Sequence, residues 1–309
     1  MGECRIPAED EIGQGSRAIV KYPDLGRGIL PLTQKRAAVE TILSGMRRAL
    51  VAFSGGVDST LLAVLARDAL GPANVLAVTA DSPSLAREEL SDAARLARAL
   101  GLRHRVIATS ELADSSYRMN TTSRCFVCKQ ELFRQLEPLA SSLGYPSVLY
   151  GAIGDDVRAE RPGQLAAEQS GVRAPLQEAG FQKWEVRELA KQLGLPNWDR
   201  PQNACLSSRV PHGQMVTETK LRQIEAAEAF LRDQGFRQVR VRHLGSHARI
   251  EVDPAQVARF QDGGLSQALA ERFGMLGFET IGIDRSGYRA GGADRAGVDE
   301  VLLHAIARC

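Results

Sequence analysis

An apolar run that stops at two glycines and an aspartate, then resumes with helical spacing, constrains this chain more than any other stretch. It is LVAFSGGVDSTLLAVLARDAL, residues 50–70. Residues 49–53 have the short, unbroken apolar character of a strand buried on both faces, and Ser59 to about Leu70 carries helical spacing. The alternation continues. NVLAVTA reads as a strand, SLAREELSDAARLARALG as a helix, RHRVIAT as a strand, KQELFRQLEPLASSLG as a helix and SVLYGA as a strand; a helix over TQKRAAVETILSGMRR precedes them all. Strands and helices alternating at this pace imply right-handed βαβ units and a parallel sheet. In such sheets ligands sit beyond the carboxyl ends of the strands. The glycine turn lies at such an end, and so does YGAIGDD.

After about residue 200 the pattern changes. TETKLRQIEAAEAFLRDQGF reads as a helix opened by Thr217, with Lys220 where a capping box would want Glu. RQVRVRHLG and HARIEV read as an antiparallel pair, SQALAERFGMLGF as a helix and ETIGIDR as a strand. The last stretch, from SGYRAGG onward, starts glycine-rich and ends weakly helical. The expected organisation is an extension over residues 1–31, an α/β domain over 32–200, a smaller α+β domain over 201–290 and a tail over 291–309.

Glycines at 55 and 56 allow backbone angles that side chains forbid. The N–H groups of the turn can then converge on an anion, and the following helix adds its positive end. So the turn is suited to phosphate. It has no G-x-x-x-x-G-K-[ST] pattern and no lysine near; Asp58 stands there instead. A carboxylate beside a polyphosphate needs a bridging cation, and Mg²⁺ is the hard, oxygen-seeking choice. Ser54 and Ser59 can donate hydroxyl hydrogen bonds to phosphate oxygens. The plain structural account is a glycine turn with Asp58 capping the helix; the complete pattern of apolar strand, S-G-G-V-D-S and apolar helix argues against it.

The chain has 309 residues, with 39 basic against 37 acidic and a net charge of +2. That length suits about two domains, and the balanced charge offers no basic block for an extended nucleic-acid face. No apolar run approaches the roughly 18 residues of a membrane span, and the N-terminus lacks a secretory core, so the cytoplasm is the expected compartment. Five cysteines in a chain this long are too few for a disulfide scaffold. Cys125 and Cys128 form a C-x-x-C just before a helix, which suits a zinc half-site, a redox pair, an iron–sulfur half-site or plain packing. Cys205, in RPQNACLSSR, is the good third thiol, and His212 is a weaker fourth ligand. Three thiolates suit a [4Fe–4S] cluster with one iron lacking a protein ligand. Taken alone, Cys205 also reads as a nucleophile activated by Arg209. Cys4 and Cys309 receive no role.

At SGGVDS the chain resembles the PP-loop ATP pyrophosphatases, which bind the phosphates of ATP there and cleave between α and β. The resemblance implies a doubly wound parallel sheet, with ATP held by Ser54, Gly55, Gly56, Val57, Asp58 and Ser59. VTADSP, with Thr79 and Ala80, then sits where the family contacts adenosine through backbone, and Gly151 matches a further family glycine. Taken in order, SGGVDSTLLA, TADSPSLAREEL, RCFVCKQELF, PNWDRPQNACLSSR and GYRAGG resemble the LarE family across about residues 32–292. LarE-like enzymes are ATP-dependent sulfur transferases of nickel-pincer cofactor biosynthesis, needed for lactate racemase maturation. They adenylate pyridinium-3,5-biscarboxylic acid mononucleotide and convert it to a thiocarboxylate. Some sacrifice the sulfur of one cysteine in the C-L-x-S-R region; others hold a [4Fe–4S] cluster that delivers sulfide. With Cys125, Cys128 and Cys205 all present, this chain resembles the second group. The resemblance also implies a homo-oligomer and a nucleotide-like carboxylate as substrate.

A nucleotide substrate needs a phosphate site. VRVR puts Arg240 and Arg242 on one face of a strand and Val239 and Val241 on the other, and paired guanidiniums suit phosphate. A solvated strand face is the plain alternative. LarE-like enzymes use matching Ser, Arg, Glu and paired Arg positions, here Ser208, Arg209, Glu228, Arg240 and Arg242. Within LYGAIGDDVRAERPG, Ala152, Ile153 and Ala159 depart from the family pattern, leaving room for a different carboxylate substrate. Asp156 is retained there and is a candidate for Mg²⁺. The rivals are a PP-loop tRNA thiolase, an amidating enzyme like NAD or GMP synthetase, and a non-catalytic metal module. Near-neutral charge and 5% aromatic residues argue against RNA.

Overall fold

The computed structural model describes residues 30–155, 162–201, 204–288 and 298–305. Its first sheet is built from short apolar strands: β1 Ala49–Ala52, β2 Val75–Asp81, β3 His104–Ala108 and β4 Ser147–Tyr150. They are ordered β3-β2-β1-β4, and every pairing is parallel. The chain steps outward from β1 through β2 to β3, then returns to the other side of β1 as β4. The crevice between the ends of β1 and β4 is therefore the topological switch point, where ligands bind in open α/β sheets.

Helices cover both faces, as a doubly wound sheet requires. They are α1 Leu32–Ser44, α2 Val57–Leu70, α3 Arg87–Ala99, α4 Arg124–Ser142, α5 Pro162–Gln169 and α6 Lys183–Gln192. The period-2 alternation of the strands sorts their side chains between two cores. Val51, Val75 and Ala77 pack with Val39 and Leu43 of α1, Leu61 and Leu65 of α2, and Val186 and Leu189 of α6. Leu50, Leu76 and Val78 point the other way, onto Phe133 and Leu136 of α4 and Ala166 and Ala167 of α5. Each fully buried leucine or valine contributes about 1.5–3 kcal/mol.

The second sheet is mixed, ordered β5-β6-β7-β8. β5 Val239–Leu244 turns back antiparallel into β6 His247–Val252 through Gly245, whose φ of 78° suits a tight hairpin. β7 Thr280–Asp284 runs parallel to β6, and β8 Glu300–Ala305 antiparallel to β7. Two helices, α7 Glu218–Asp233 and α8 Gly263–Met275, close its core through Ala227, Leu231, Leu269 and Phe273. Thr217 caps α7 as expected, its hydroxyl accepting from the Lys220 N–H at 3.2 Å.

Two elements differ from the sequence reading. The C-x-x-C does not precede a helix but forms its first turn, since α4 starts at Arg124. The stretch expected to end weakly helical is strand β8, whose backbone is satisfied by pairing with β7. No helix among the described residues is long and apolar enough to cross a membrane.

Candidate active site

The phosphate loop follows from β1 and α2. Gly55 has φ 73°, in the left-handed region, and a Cβ there would lie 3.1 Å from that of Ala93. Gly56 differs from expectation: its φ of −71° is open to any residue. Its constraint is space, because a Cβ would come within 3.3 Å of Ser54 Oγ. Ser59 Oγ donates to Gly56 O at 3.1 Å and accepts from Ser54 N–H at 3.2 Å, so the two serines stitch the turn shut. No side chain caps α2. The plain account of Asp58 as a helix cap therefore fails, and the N-terminus of α2 lacks a side-chain acceptor of its own. From behind, buried Asn197 donates to Gly55 O and to Thr60 Oγ1, both at 3.0 Å.

The structure brings a lysine to a loop that has none in its sequence. Lys183 Nζ lies 2.8 and 2.6 Å from the two carboxylate oxygens of Asp58. Asp155 accepts from the Lys183 N–H at 2.7 Å, whereas Asp156 lies outside the described residues.

Two cavities meet at this loop. One, of about 360 Å³, opens beyond β1 and β2 and is lined by Thr79, Ala80, Tyr150, Gly151, Lys129 and Cys128. Thr79 turns its hydroxyl away, donating to Phe53 O at 2.6 Å. His104 Nε2, 2.8 Å from Thr79 Oγ1, must then be the donor, and burial lowers the pKa of this imidazole. Gly151 cannot carry a side chain, for a Cβ would sit 2.7 Å from Ser59 N. Ala152 lines the cavity and Ile153 is buried in the α2 core, so of these two departures from the family pattern only Ala152 faces the cavity. The second cavity, of about 330 Å³, is lined by Lys183, Arg200, Arg209, Glu228 and Arg232. Ser54, Gly56, Asp58, Ser84, Leu85 and Cys205 belong to both.

The three thiols converge beside this shared wall. Cys125 and Cys205 are exposed and Cys128 is half-buried. Burial pushes the Cys128 thiol pKa well up, and the neighbouring Cys205, Glu111 and Cys125 push it further against the pull of Arg124. A small buried lattice fixes the Cys205 turn to the cysteine helix. Tyr117 Oη lies 2.7 Å from Ser207 Oγ, Ser84 Oγ lies 2.9 Å from Ser207 Oγ, and Tyr117 and Ser84 also bond. Arg124 donates to Ser207 O at 2.8 Å and to Asn120, whose own amide holds Val210 O, Pro211 O and Gln214 O. Burial first, then the nearby thiols of Cys205 and Cys128, raise the Tyr117 pKa, so its phenol stays protonated.

Among the described residues no three His, Cys, Asp or Glu side chains are gathered tightly enough for a single metal ion. A cubane is larger than an ion and takes thiols spaced further apart, so three converging cysteines from two segments fit it in donor type and number. His212 is exposed on the loop held by Asn120, and Cys4 and Cys309 lie outside the described residues.

The expected phosphate residues surround the same turn from inside the fold. Arg209 is buried; it pairs with Glu228 and donates to Cys205 O at 2.8 Å. Burial opposes the charge of both groups, but each stabilises the other, leaving the Arg209 pKa raised and the Glu228 pKa lowered. Arg242 pairs with Glu251 at 2.7 Å and donates to Ser208 O at 3.0 Å. Arg240 donates to Val239 O and lies over the Tyr288 ring; burial, then Arg209, lower its pKa. Arg209 and Glu228 line the second cavity, while Ser208, Arg240 and Arg242 line neither. The sequence reading missed Lys183, Asn197, Tyr117 and Ser84, which the fold brings to the site, and gave no role to Ser207 and Arg124, which flank the cysteines in sequence.

The sequence of the NAD synthase family matches residues 21–130. An uncharacterised protein of Synechocystis is 45% identical over 265 residues, covering 85% of this chain and 98% of that protein. The pyridinium-3,5-bisthiocarboxylic acid mononucleotide synthase of Lactiplantibacillus plantarum is 37% identical over 260 residues, covering 84% of this chain and 94% of the synthase. A tRNA-specific 2-thiouridylase of Syntrophus aciditrophicus is 28% identical over 209 residues, 57% of this chain and 56% of its own length.

Proposed function

The chain belongs to the LarE family of PP-loop sulfurtransferases, and from that membership we propose that it activates a carboxylate with ATP and replaces the activated oxygen with sulfur. The observation that carries the reading is Cys205, which stands with Asp58 in the wall common to both cavities. ATP occupies the first, its phosphates on residues 54–59 and its adenosine against Thr79, Ala80 and Gly151. The acceptor occupies the second. Pyridinium-3,5-biscarboxylic acid mononucleotide is the acceptor whose sulfur product bears the name of the L. plantarum relative. Its phosphate falls to Arg209, which Glu228 holds in that cavity, while Ser208, Arg240 and Arg242, which do not line it, support the turn from behind.

An acceptor carboxylate oxygen attacks the α-phosphorus, and the bond to the bridging oxygen breaks with its electron pair leaving on pyrophosphate. Asp58 would hold Mg²⁺, which would offset charge on the phosphates when bound; Asp156 is a second candidate ligand. A sulfur nucleophile then attacks the acyl carbon, AMP leaves and a thiocarboxylate remains. Cys125, Cys128 and Cys205 would hold a [4Fe–4S] cluster, whose open iron supplies sulfide when the cluster is bound. In the sacrificial alternative, the Cys205 thiolate displaces AMP to form the thioester itself; loss of its Cα proton to a base and cleavage of its Cβ–S bond, the electron pair leaving on sulfur, then release the thiocarboxylate and leave dehydroalanine.

The test is anaerobic purification with iron and sulfide analysis, followed by ATP-to-AMP turnover against candidate carboxylates. Asp58→Ala should abolish AMP formation, and retained formation refutes the role of Asp58. Protein without iron whose Cys205 is lighter by H₂S after one turnover assigns the sacrificial route. Turnover that requires tRNA assigns the thiolase class, and turnover that consumes ammonia with all three cysteines replaced by serine assigns the amidating class.

A further inference from the structure

Lys183 enters the phosphate loop from 125 residues away, with both carboxylate oxygens of Asp58 in reach. Its backbone is fixed. It is the first residue of α6, whose start is locked by reciprocal bonds between Gln182 and Glu185 and by the Asp155 contact. Val186 and Leu189 root that helix in the core shared with α2. Only the ammonium, on its flexible four-carbon stem, can move. It lines the second cavity together with Ser54, Gly56 and Asp58.

The three other cations facing that cavity are committed elsewhere, Arg209 to buried Glu228 at 2.8 Å. Arg200 lies 3.1 Å from Glu89 and 3.0 Å from Asp92, and Arg232 lies 2.8 Å from Glu88 and 3.6 Å from Glu228. Lys183 differs because its partner is the carboxylate that nucleotide binding would claim. The pair is partly exposed, 30% and 25%, and exposed ion pairs are weak enough to exchange. A bare carboxylate at the positive end of α2 would also repel an incoming polyphosphate.

We propose that Lys183 is the loop's resident counter-cation: it neutralises Asp58 in the empty site and moves to the phosphates when Mg²⁺ and nucleotide take Asp58 over. This rests on the reading that the loop binds ATP and adds to it the cation that the motif lacks. Asp58 is thereby shared in turn between two cations, so lysine and Mg²⁺ compete for it.

The test is calorimetric titration of inorganic pyrophosphate and of ATP, with and without Mg²⁺, into native, Lys183→Met, Lys183→Arg and Asp58→Asn proteins. Without Mg²⁺, Lys183→Met should bind pyrophosphate about tenfold more weakly than native, the size expected for one charge-assisted contact. Lys183→Arg should keep most of the affinity. Asp58→Asn should bind pyrophosphate more tightly, because the lysine is released and a negative charge is gone. The Mg²⁺ concentration that half-saturates ATP binding should fall in Lys183→Met. Equal pyrophosphate affinity in native and Lys183→Met, or weaker binding by a folded Asp58→Asn, overturns the proposal. Native protein that binds neither ATP nor pyrophosphate overturns the ATP reading itself, and this inference with it.

Discussion

Arg209 and Glu228 meet fork to fork, Nε 2.8 Å from Oε1 and Nη2 3.1 Å from Oε2, with each side chain only 2% exposed. Removing one partner strands a buried charge, which costs about 3–5 kcal/mol. Arg209→Met should lower stability by that order, read as a fall in the denaturation midpoint. The double variant Arg209→Met with Glu228→Met should regain most of it, because a packed apolar pair replaces a satisfied ionic one. Arg209 also donates to Cys205 O, so the regained stability should not restore the turn. Alkylation of Cys205 should stay faster than in native protein in both variants.

Acid should weaken the fold in two separate windows. His243 is buried beside Phe278 and Gln223, and burial, helped by Lys220, lowers its pKa from 6.5 to about 4. A lowered folded pKa means the unfolded chain takes up the proton first. The stability this histidine confers is complete above pH 6.5 and is lost as the pH falls towards 4, by up to about 3 kcal/mol. The Glu228 carboxyl is lowered from 4.5, so its share is complete above pH 4.5 and is lost only as the pH falls below that. Melting temperatures between pH 7 and 3 check both. His243→Asn, neutral at every pH, should reduce the slope of the upper limb alone, leaving the share of His104, whose pKa burial also lowers; an unchanged slope there would assign that limb to other groups.

The hydroxyls of Ser84, Tyr117 and Ser207 form a closed buried ring in which each can donate once and accept once. Tyr117→Phe removes one member but leaves the two serines bonded at 2.9 Å. The expected cost is about 1–2 kcal/mol. Because Leu206 N–H also donates to Ser84 O at 2.8 Å, this ring ties the Cys205 turn to the loop after β2. Native-state hydrogen exchange over 205–209 should quicken in Tyr117→Phe while exchange in α2 is unchanged.

What could be read in the chain beforehand follows the range of the forces involved. The β1–turn–α2 unit is set by neighbours: an apolar run, glycines that admit a sharp turn, and an apolar helix. Thr217 announces its helix in the same local way. Lys183 and Asn197 reach the loop across 125 and 142 residues, and nothing near either residue reports where α6 will pass. Gly56 shows the limit even at short range, since its need is clearance from Ser54 Oγ rather than a left-handed φ. β8 was hidden because VLLHA suits a helix as well as a strand, and only the open edge of β7 decides between them. The cysteines were legible as a trio, but their helix starts at Arg124, whose guanidinium is held by Asn120 and Ser207 O.

That helix also distinguishes the three thiols chemically. Cys125 and Cys205 are exposed, whereas Cys128 is half-buried and its pKa is raised by burial and by the acidic groups around it. Thiolate is the reactive form towards alkylating agents and the form that binds metal. In protein without metal, iodoacetamide at pH 7.5 should therefore modify Cys125 and Cys205 well before Cys128, as peptide mass spectrometry would resolve. Raising the pH to 9 should accelerate Cys128 only slightly, because its thiol stays largely protonated there. Iron and sulfide loading must expel that proton, so loading should rise with pH and shield all three cysteines at once. Cys125→Ser and Cys128→Ser should each lose iron yet keep ATP-to-AMP turnover, since neither thiol takes part in adenylation. Cys128 alkylated as fast as Cys205, or iron retained by both serine variants, would contradict this assignment of the three thiols.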